Sequence, residues 1–265
     1  MIPHALTIAG SDSGGGAGIQ ADLKTFSALG AYGLSVITAL TAQNTRGVQA
    51  VHTPPPEFVR AQCDAVFEDI RVDAVKLGML ANADIIRAVA AALAEWAPPF
   101  VVLDPVMIAK GGHPLLQQDA TVAMRDELLP RASLITPNLP EAAALLGVAE
   151  AQNEDEMVRQ GEKLLALGAG AVLMKGGHLG GETSPDWLIT SDGVQQFDAP
   201  RIVTRHTHGT GCTLSAALAA LRPPQPDLVA TVSTAKTWLN AALAQADRLE
   251  VGHGIGPVHH FHAWW

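Results

Sequence analysis

The chain contains 265 residues, with 17 Lys or Arg and 26 Asp or Glu, so its formal charge is −9 when histidine is neutral. An acidic chain without a basic run is not typical of a nucleic-acid-binding protein, and no apolar stretch approaches the roughly 20 residues that span a bilayer. A hydrophobic fraction of 48% and a charged fraction of 16% predict a globular protein with a large core.

Short apolar runs alternate with longer helical patterns along most of the chain. In chain order the patterns predict strand 5–9, helix 18–29, strand 35–40, helix 56–67, strand 74–77, helix 83–96, strand 100–103, helix 121–129, strand 134–136, helices 140–146 and 153–167, and strand 171–174. Strands 187–190 and 194–197 then flank a Ser-Asp-Gly turn, which predicts a hairpin, and helices 212–221 and 227–249 follow. This alternation predicts one α/β domain, with helices on both faces of a mostly parallel sheet and the hairpin at an antiparallel edge.

The N-terminus and the cysteines indicate the compartment. The first residues lack the charged region and the apolar region of a signal peptide. The two cysteines, Cys63 and Cys212, could form at most one bridge. We therefore expect a cytoplasmic protein with free thiols.

Polar and Gly-rich loops follow the predicted strands at the end where α/β sheets bind ligands. The loop 10–18 (GSDSGGGAG) is not a P-loop, because no Gly-Lys-Ser/Thr follows its glycines. Gly16, Gly18 and Ala21 match a dinucleotide fingerprint, but the acidic residue expected about 20 positions later is absent. Two interpretations stay open: a ligand-binding loop, or a tight turn before a helix whose dipole is stabilised by Asp22.

The segment 208–213 (HGTGCT) precedes an apolar helical run and indicates a ligand site more strongly. Gly209 and Gly211 expose successive N–H groups at the positive end of a helix dipole, which together bind an anion. Cys212 lies in this field, which predicts a lowered thiol pKa, roughly 3.5–7.5 in strong cases. The alternative, a small buried side chain at a turn, fits Cys63 better than Cys212.

Three further strand ends carry side chains that suit phosphate binding. Asp104 and the segment 138–141 (NLPE) offer oxygen ligands suited to Mg²⁺ through water, or else an ordinary helix cap with an acidic first turn. Lys175 ends a strand in a Gly-rich turn, where its ammonium can reach a phosphate, or else it is a solvated lysine.

The segment 259–262 (HHFH) has no Cys or acid at ligand spacing, so we expect a surface tract there and assign no metal to it.

In combination these segments resemble the hydroxymethylpyrimidine/phosphomethylpyrimidine kinases of thiamine biosynthesis. The resemblance rests on residues 9–26 (AGSDSGGGAGIQADLKTF), 41–45 (TAQNT), 76–80 (KLGML), 104–107 (DPVM), 136–141 (TPNLPE), 175–178 (KGGH) and 207–212 (THGTGC), and it extends from about residue 5 to the tail. It implies a ribokinase-like three-layer fold, usually in a homodimer, with ATP and Mg²⁺ as cofactors. It also implies two phosphorylations of 4-amino-5-hydroxymethyl-2-methylpyrimidine, first to the monophosphate and then to the diphosphate.

The resemblance assigns roles position by position. Gly10, Asp22, Gln43, Met79 and Val106 match the pyrimidine pocket; Asp104, Asn138, Glu141, Lys175 and Thr210 match the ATP and magnesium side; Gly209, Gly211 and Cys212 match the anion hole and general base. Magnesium would be held by Glu141 through water rather than in a protein cage. Most ribokinase relatives have Asp where this chain has Cys212, and members vary between Glu and Gln at Gln43.

One anion-hole motif implies that both phosphorylations use one site, with Lys110 expected to help neutralise the second phosphate. Two alternatives remain at this point. The first is a pyridoxal kinase of the same superfamily, because some pyrimidine kinases also accept pyridoxine-like rings. The second, from a different class, is a non-catalytic pyrimidine-binding or regulatory module. Lys175, Glu141 and Cys212 together argue against the second alternative, because binding a ring needs none of them.

Overall fold

One nine-stranded sheet organises the chain in a computed structural model that describes residues 1–107 and 118–265. The strands are β1 (His4–Gly10), β2 (Tyr32–Asn44), β3 (Gly47–His52), β4 (Ala74–Leu77), β5 (Val101–Leu103), β6 (Leu134–Ile135), β7 (Val172–Lys175), β8 (Asp186–Thr190) and β9 (Gly193–Phe197). Their order is β3-β2-β1-β4-β5-β6-β7-β8-β9. The six central strands β2, β1, β4, β5, β6 and β7 are parallel, whereas β3 at one edge and the β8–β9 hairpin at the other pair in antiparallel ladders. The predicted α/β fold and its antiparallel edge hairpin are confirmed.

Eight α-helices cover the two faces of the sheet in the described ranges. They are α1 (Gly18–Ala28), α2 (Pro56–Asp69), α3 (Ala83–Trp96), α4 (Gln118–Ala123), α5 (Leu139–Leu146), α6 (Glu154–Ala166), α7 (Thr210–Leu221) and α8 (Leu228–Ala244). One apolar cluster packs α2 to α6 on one face, and a second packs α1, α7 and α8 on the other. Parallel strands buried on both faces read as continuous apolar runs rather than alternating ones, which is why β1 and β4 were recognisable from sequence.

Three elements depart from the prediction. β2 is longer than the predicted strand 35–40, and β3 has no predicted counterpart. β3 pairs with β2 in an antiparallel ladder, with a register shift between Ala42 and Gln43. Its residues are exposed or half-buried, so no apolar alternation marks it. The predicted helix 121–129 is instead a short α4 followed by a π turn and a 3₁₀ turn, Met124–Leu128 and Leu129–Arg131.

Candidate active site

A cavity of about 670 Å³ lies at the carboxyl ends of the parallel strands. Its wall contains the predicted residues Gly10, Gln43, Met79, Asp104, Val106, Asn138, Glu141, Lys175, Gly209, Thr210, Gly211 and Cys212. Segments that are far apart in sequence meet here because parallel strands deliver their following loops to one edge. Lys110 lies outside the described residues.

The first turn of α7 forms the anion-binding wall that the sequence indicates. Gly209 has φ 76°, and a side chain there would collide with the carbonyl of Gly16, so only glycine fits. The hydroxyl of Thr210 donates to the carbonyl of Thr207 at 2.7 Å, which fixes the approach to the helix. The first N–H groups of an α-helix have no partner within the helix, and a Cβ atom at Gly211 in this turn would lie 3.5 Å from Nζ of Lys175 and 3.6 Å from Oδ2 of Asp104.

The expected lowering of the Cys212 pKa is wrong. Burial raises the pKa of the Cys212 thiol to about 11, and the charges of Asp22 and Asp104 add to this. The ammonium of Lys76 and the N–H of Gly18 act in the opposite direction but do not compensate. Burial of the thiol therefore outweighs the helix end that motivated the expectation. Both cysteines are free, and Cys63 is buried in α2 as expected.

Lys175 is the centre of a buried charge cluster opposite α7. Its Nζ lies 3.0 Å from Oδ1 of Asp104 and 3.6 Å from Oε2 of Glu141. Thr136 and Ser215 also donate hydroxyl hydrogen bonds to Asp104, at 3.2 and 3.3 Å. The interpretation of Lys175 as a solvated lysine is therefore wrong.

Asn138 and Glu141 form a capping box at the start of α5. The side chain of Asn138 accepts from the N–H of Glu141 at 2.8 Å, and Glu141 accepts from the N–H of Asn138 at 2.8 Å. The same Glu141 carboxylate faces Lys175, so the cap and the charged site share one residue. Burial raises the pKa of Glu141 to about 7, with Asp104 adding to the rise and Lys175 opposing it.

We expect Glu141→Gln to change how stability depends on pH. The fold favours protonated Glu141, so its contribution to the free energy of unfolding is present below its ordinary pKa of 4.5 and is lost as pH rises through about 7. Glutamine keeps the capping box and does not titrate. Across this window the variant should therefore gain stability relative to the parent, on the order of 2–3 kcal/mol.

Urea denaturation at pH 4.5 and pH 8 measures this difference. Glu156→Gln is the matched control, since Glu156 holds the same position after the N-cap Asn153 of α6 but lies outside the charge cluster. If Glu156→Gln gained as much free energy of unfolding between pH 4.5 and pH 8 as Glu141→Gln, the result would contradict the raised pKa of Glu141.

Asp22 does not line the cavity. Its side chain is fully buried in α1, where its carboxylate accepts from Nζ of Lys76 at 2.8 and 3.0 Å and from the Thr7 hydroxyl at 2.6 Å. Burial alone lowers the pKa of Lys76, but Asp22, Cys212 and Asp104 together more than reverse this and raise it. Lys76 lines the cavity and Asp22 does not, and the contact of Asp22 with the ring stays a prediction. The interpretation of Asp22 as a dipole-stabilising residue is wrong, because Asp22 lies beyond the first turn of α1.

Sequence reasoning missed several cavity residues. Lys76 follows an apolar strand pattern and looks like a core position, and Asp12 and His208 look like parts of flexible Gly-rich loops. Asp186 and Lys236 form a buried ion pair at 2.6 Å, far from any recognised motif in sequence. A charged residue inside an apolar run was the available signal for Lys76, since such residues are buried only when paired.

The histidine-rich tail is not a surface tract. His259 and His260 are buried, and burial lowers the pKa of His260 to about 3. Thr213 of α7 and Nε2 of His260 are 3.1 Å apart. Within residues 1–107 and 118–265, no group of three or more His, Cys, Asp or Glu side chains is arranged to hold a metal ion, and no helix is long and apolar enough to cross a membrane.

The fold and this cavity define an α/β small-molecule kinase of the ribokinase-like class. The family model for phosphomethylpyrimidine kinase matches residues 12–259, and the chain belongs to this family. It is 67% identical to the hydroxymethylpyrimidine/phosphomethylpyrimidine kinase of Escherichia coli (strain K12), over 99% of this chain and 98% of that protein. The alternative of a non-catalytic module does not fit this membership.

Two solved structures show the same fold. A phosphomethylpyrimidine kinase from Clostridium difficile 630 aligns with a TM-score of 0.81 and 44% identity, over 91% of this chain and 99% of that one. An ADP complex of Bacillus subtilis pyridoxal kinase aligns with a TM-score of 0.91 and 37% identity, over 99% of both chains. One of these relatives is a phosphomethylpyrimidine kinase and the other is a pyridoxal kinase, so the same fold occurs with two classes of acceptor.

Proposed function

We propose that this protein transfers the γ-phosphoryl group of ATP to 4-amino-5-hydroxymethyl-2-methylpyrimidine and then phosphorylates the monophosphate to the diphosphate. The observation that carries the proposal is the convergence of the α7 turn and the cluster of Asp104, Glu141 and Lys175 in one cavity. Similarity to the Escherichia coli kinase over nearly the whole chain supports the choice of acceptor.

The proposal divides the cavity wall into an acceptor side and a nucleotide side. Gly10, Gln43, Met79 and Val106 line the cavity and would hold the acceptor; a side chain at Gly10 would collide with Met79. Asn138, Glu141 and Lys175 also line the cavity and would hold the nucleotide. The acceptor hydroxyl and the γ-phosphoryl group would then meet at the N–H groups of the α7 turn.

Phosphoryl transfer needs positioning and charge stabilisation more than covalent help from the protein. The N–H groups of Gly211 and Cys212 would stabilise the charge that grows on the transferred group. Cys212 would accept the hydroxyl proton, which requires its thiolate form. Lys175 would supply a positive charge that offsets the net acidity of the chain. Thr210 holds the turn in place through its bond to Thr207.

The donor set also fits magnesium. Asp104 and Glu141 place carboxylate oxygens at the nucleotide side of the cavity, and Mg²⁺ prefers oxygen ligands and retains water. Glu141 would therefore hold the ion through water, with phosphate oxygens as further ligands. When bound, the ion would neutralise phosphate charge.

The same cavity would serve both steps, because a second site would need its own helix start and its own base. The monophosphate would enter with its phosphate at the position of the hydroxymethyl oxygen. Its extra charge would make the second step depend more strongly on Lys175.

A coupled ADP-release assay tests the proposal. With MgATP, the protein should phosphorylate the hydroxymethylpyrimidine and its monophosphate, with higher kcat/KM for the pyrimidine than for pyridoxal. Phosphorus NMR of the products separates the monophosphate from the diphosphate. Turnover of pyridoxal alone would instead establish the second candidate, a pyridoxal kinase, which the likeness to the Bacillus subtilis enzyme supports.

We further infer that residues 1–265 act as one domain in a cytoplasmic homodimer. A single sheet that includes all nine strands supports one domain. The outer edge of β3 has no neighbouring strand in the described sheet, and Leu40 and Val51 are exposed on the β2–β3 ladder. An edge with apolar side chains is a template for a second copy.

Val51→Lys should lower the fraction of dimer, because it places a charge on this edge. Light scattering of the parent and the variant measures the dimer fraction.

A further inference from the structure

His208 connects the two Gly-rich loops of the cavity. It directly precedes the α7 turn, and its backbone N–H donates to the carbonyl of Gly256 at 3.0 Å. Its ring lies against Gly16, where a side chain would collide with the ring. Only 13% of the side chain is exposed. His208 therefore has a fixed position between the loop 10–18 and the turn at Gly209.

Asp12 locks the ring of His208. One carboxylate oxygen accepts from the N–H of Gly14 at 2.8 Å; the other accepts from Gly16 at 3.1 Å, from Ala17 at 2.9 Å and from Nε2 of His208 at 2.8 Å. Although burial opposes ionisation, His208 and the loop amides hold the pKa of Asp12 below its ordinary value. An ionised carboxylate only accepts, so Nε2 of His208 carries the proton.

This protonation state has a consequence for Gln43. The amide nitrogen of Gln43 lies 3.4 Å from the same Nε2 of His208. Nε2 cannot donate to Asp12 and also accept from Gln43, and the carboxylate is the stronger partner. Within the described residues the Gln43 side chain has no other hydrogen-bond neighbour. Its amide lies beside a fixed ring edge and stays available to a ligand in the cavity.

We propose that Asp12 and His208 are a positioning pair, which fixes the loop 10–18 against the α7 turn during phosphoryl transfer. The backbone of the acceptor-side residue Gln43 is bonded to this loop through the Ser13 hydroxyl, at 2.8 Å in both directions, so the pair also sets the distance of Gln43 from the turn. The inference rests on the proposed function, since it assumes that the acceptor binds beside Gln43. Neither residue needs to touch the reacting atoms. Loss of the pair would misplace the acceptor hydroxyl relative to the turn, and small displacements of this kind are costly for the rate.

The test compares two amides at position 208. Glutamine places an N–H close to where the Nε2 of histidine lies, whereas the shorter asparagine cannot reach Asp12. We expect His208→Asn to lower kcat on the order of 10-fold or more and to raise KM for the pyrimidine, with KM for MgATP nearly unchanged. His208→Gln should restore most of kcat. His253→Asn is the matched control, because His253 is an exposed histidine of the same C-terminal region.

A double-mutant cycle with Asp12→Ala adds an independent measurement. Asp12→Ala removes the acceptor oxygens, so His208→Asn should cost much less in that background than in the parent. Equal kcat for His208→Gln and His208→Asn, or additive effects in the cycle, would overturn the proposal. A fall in melting temperature with unchanged kcat would do the same, since it would show a purely structural role. An inactive parent protein would refute the proposed function itself.

Discussion

Cys212→Ala is expected to lower kcat on the order of 10²- to 10³-fold, with KM for MgATP nearly unchanged. Loss of a general base typically costs this much, whereas Asp104, Glu141 and Lys175 do not depend on the thiol for their contacts. The coupled ADP assay measures the change. Cys63→Ala is the matched control: Cys63 is buried in α2 and absent from the cavity wall. A near-normal kcat for Cys212→Ala would refute the role of the thiol.

The pH profile provides a second test of the same residue. The pKa of Cys212 is raised to about 11, so the thiolate fraction in the free protein increases with pH across the range from 7 to 9. We therefore expect kcat/KM to rise with pH over this range. Cys212→Asp places a base with a much lower pKa at this position, so it should retain activity and flatten the rise. A rise of equal slope in Cys212→Asp would assign the titration to another group.

Lys76→Met is expected to lower the free energy of unfolding by about 3–5 kcal/mol, because it leaves a buried carboxylate without its partner. Asp22 and Lys76 are both 0% exposed, with 2.8 Å between Nζ and Oδ2. Restoring neutrality in Asp22→Asn/Lys76→Met should recover most of the loss, since removing both charges of a buried pair is often nearly neutral. Urea denaturation measures all the variants.

The control for this pair is an exposed one. Asp84 and Arg87 are 3.0 Å apart but 75% and 55% exposed, so Asp84→Asn should change stability by less than about 1 kcal/mol. A loss for Lys76→Met no larger than that of the control would contradict a buried, ionised pair. KM for the pyrimidine in the double variant also reports on Asp22: an unchanged KM agrees with its position outside the cavity wall.

The short motifs located the cavity from sequence because each one follows a strand. Parallel strands bring such segments to one edge whatever lies between them, so Asp104, Glu141, Lys175 and Cys212 could be placed near one another without a structure. The helix boundaries followed from caps: Asn138 and Asn153 begin α5 and α6.

The partners of individual charges could not be read in the same way. Asp22 and Lys76 are separated by 54 positions in sequence, and no local pattern indicates that they pair. The pKa of Cys212 depends on burial and on the sum of several charges, whereas the sequence displays only the glycines beside it. β3 was missed because its side chains face solvent, and the burial of His259 and His260 depends on a packing surface that distant segments supply.

The packing of the tail also determines when the site can form during synthesis. The first Gly-rich loop and the sheet centre at β1 and β4 leave the ribosome early, and these elements are paired with one another. The backbone N–H of His208 donates to the carbonyl of Gly256, and the Thr213 hydroxyl lies at hydrogen-bond distance from Nε2 of His260. Gly256 and His260 are synthesised well after β1 and β4, so both contacts wait for residues that the pairing of the central strands does not need. A complete cavity therefore requires a later part of the chain than the sheet centre does.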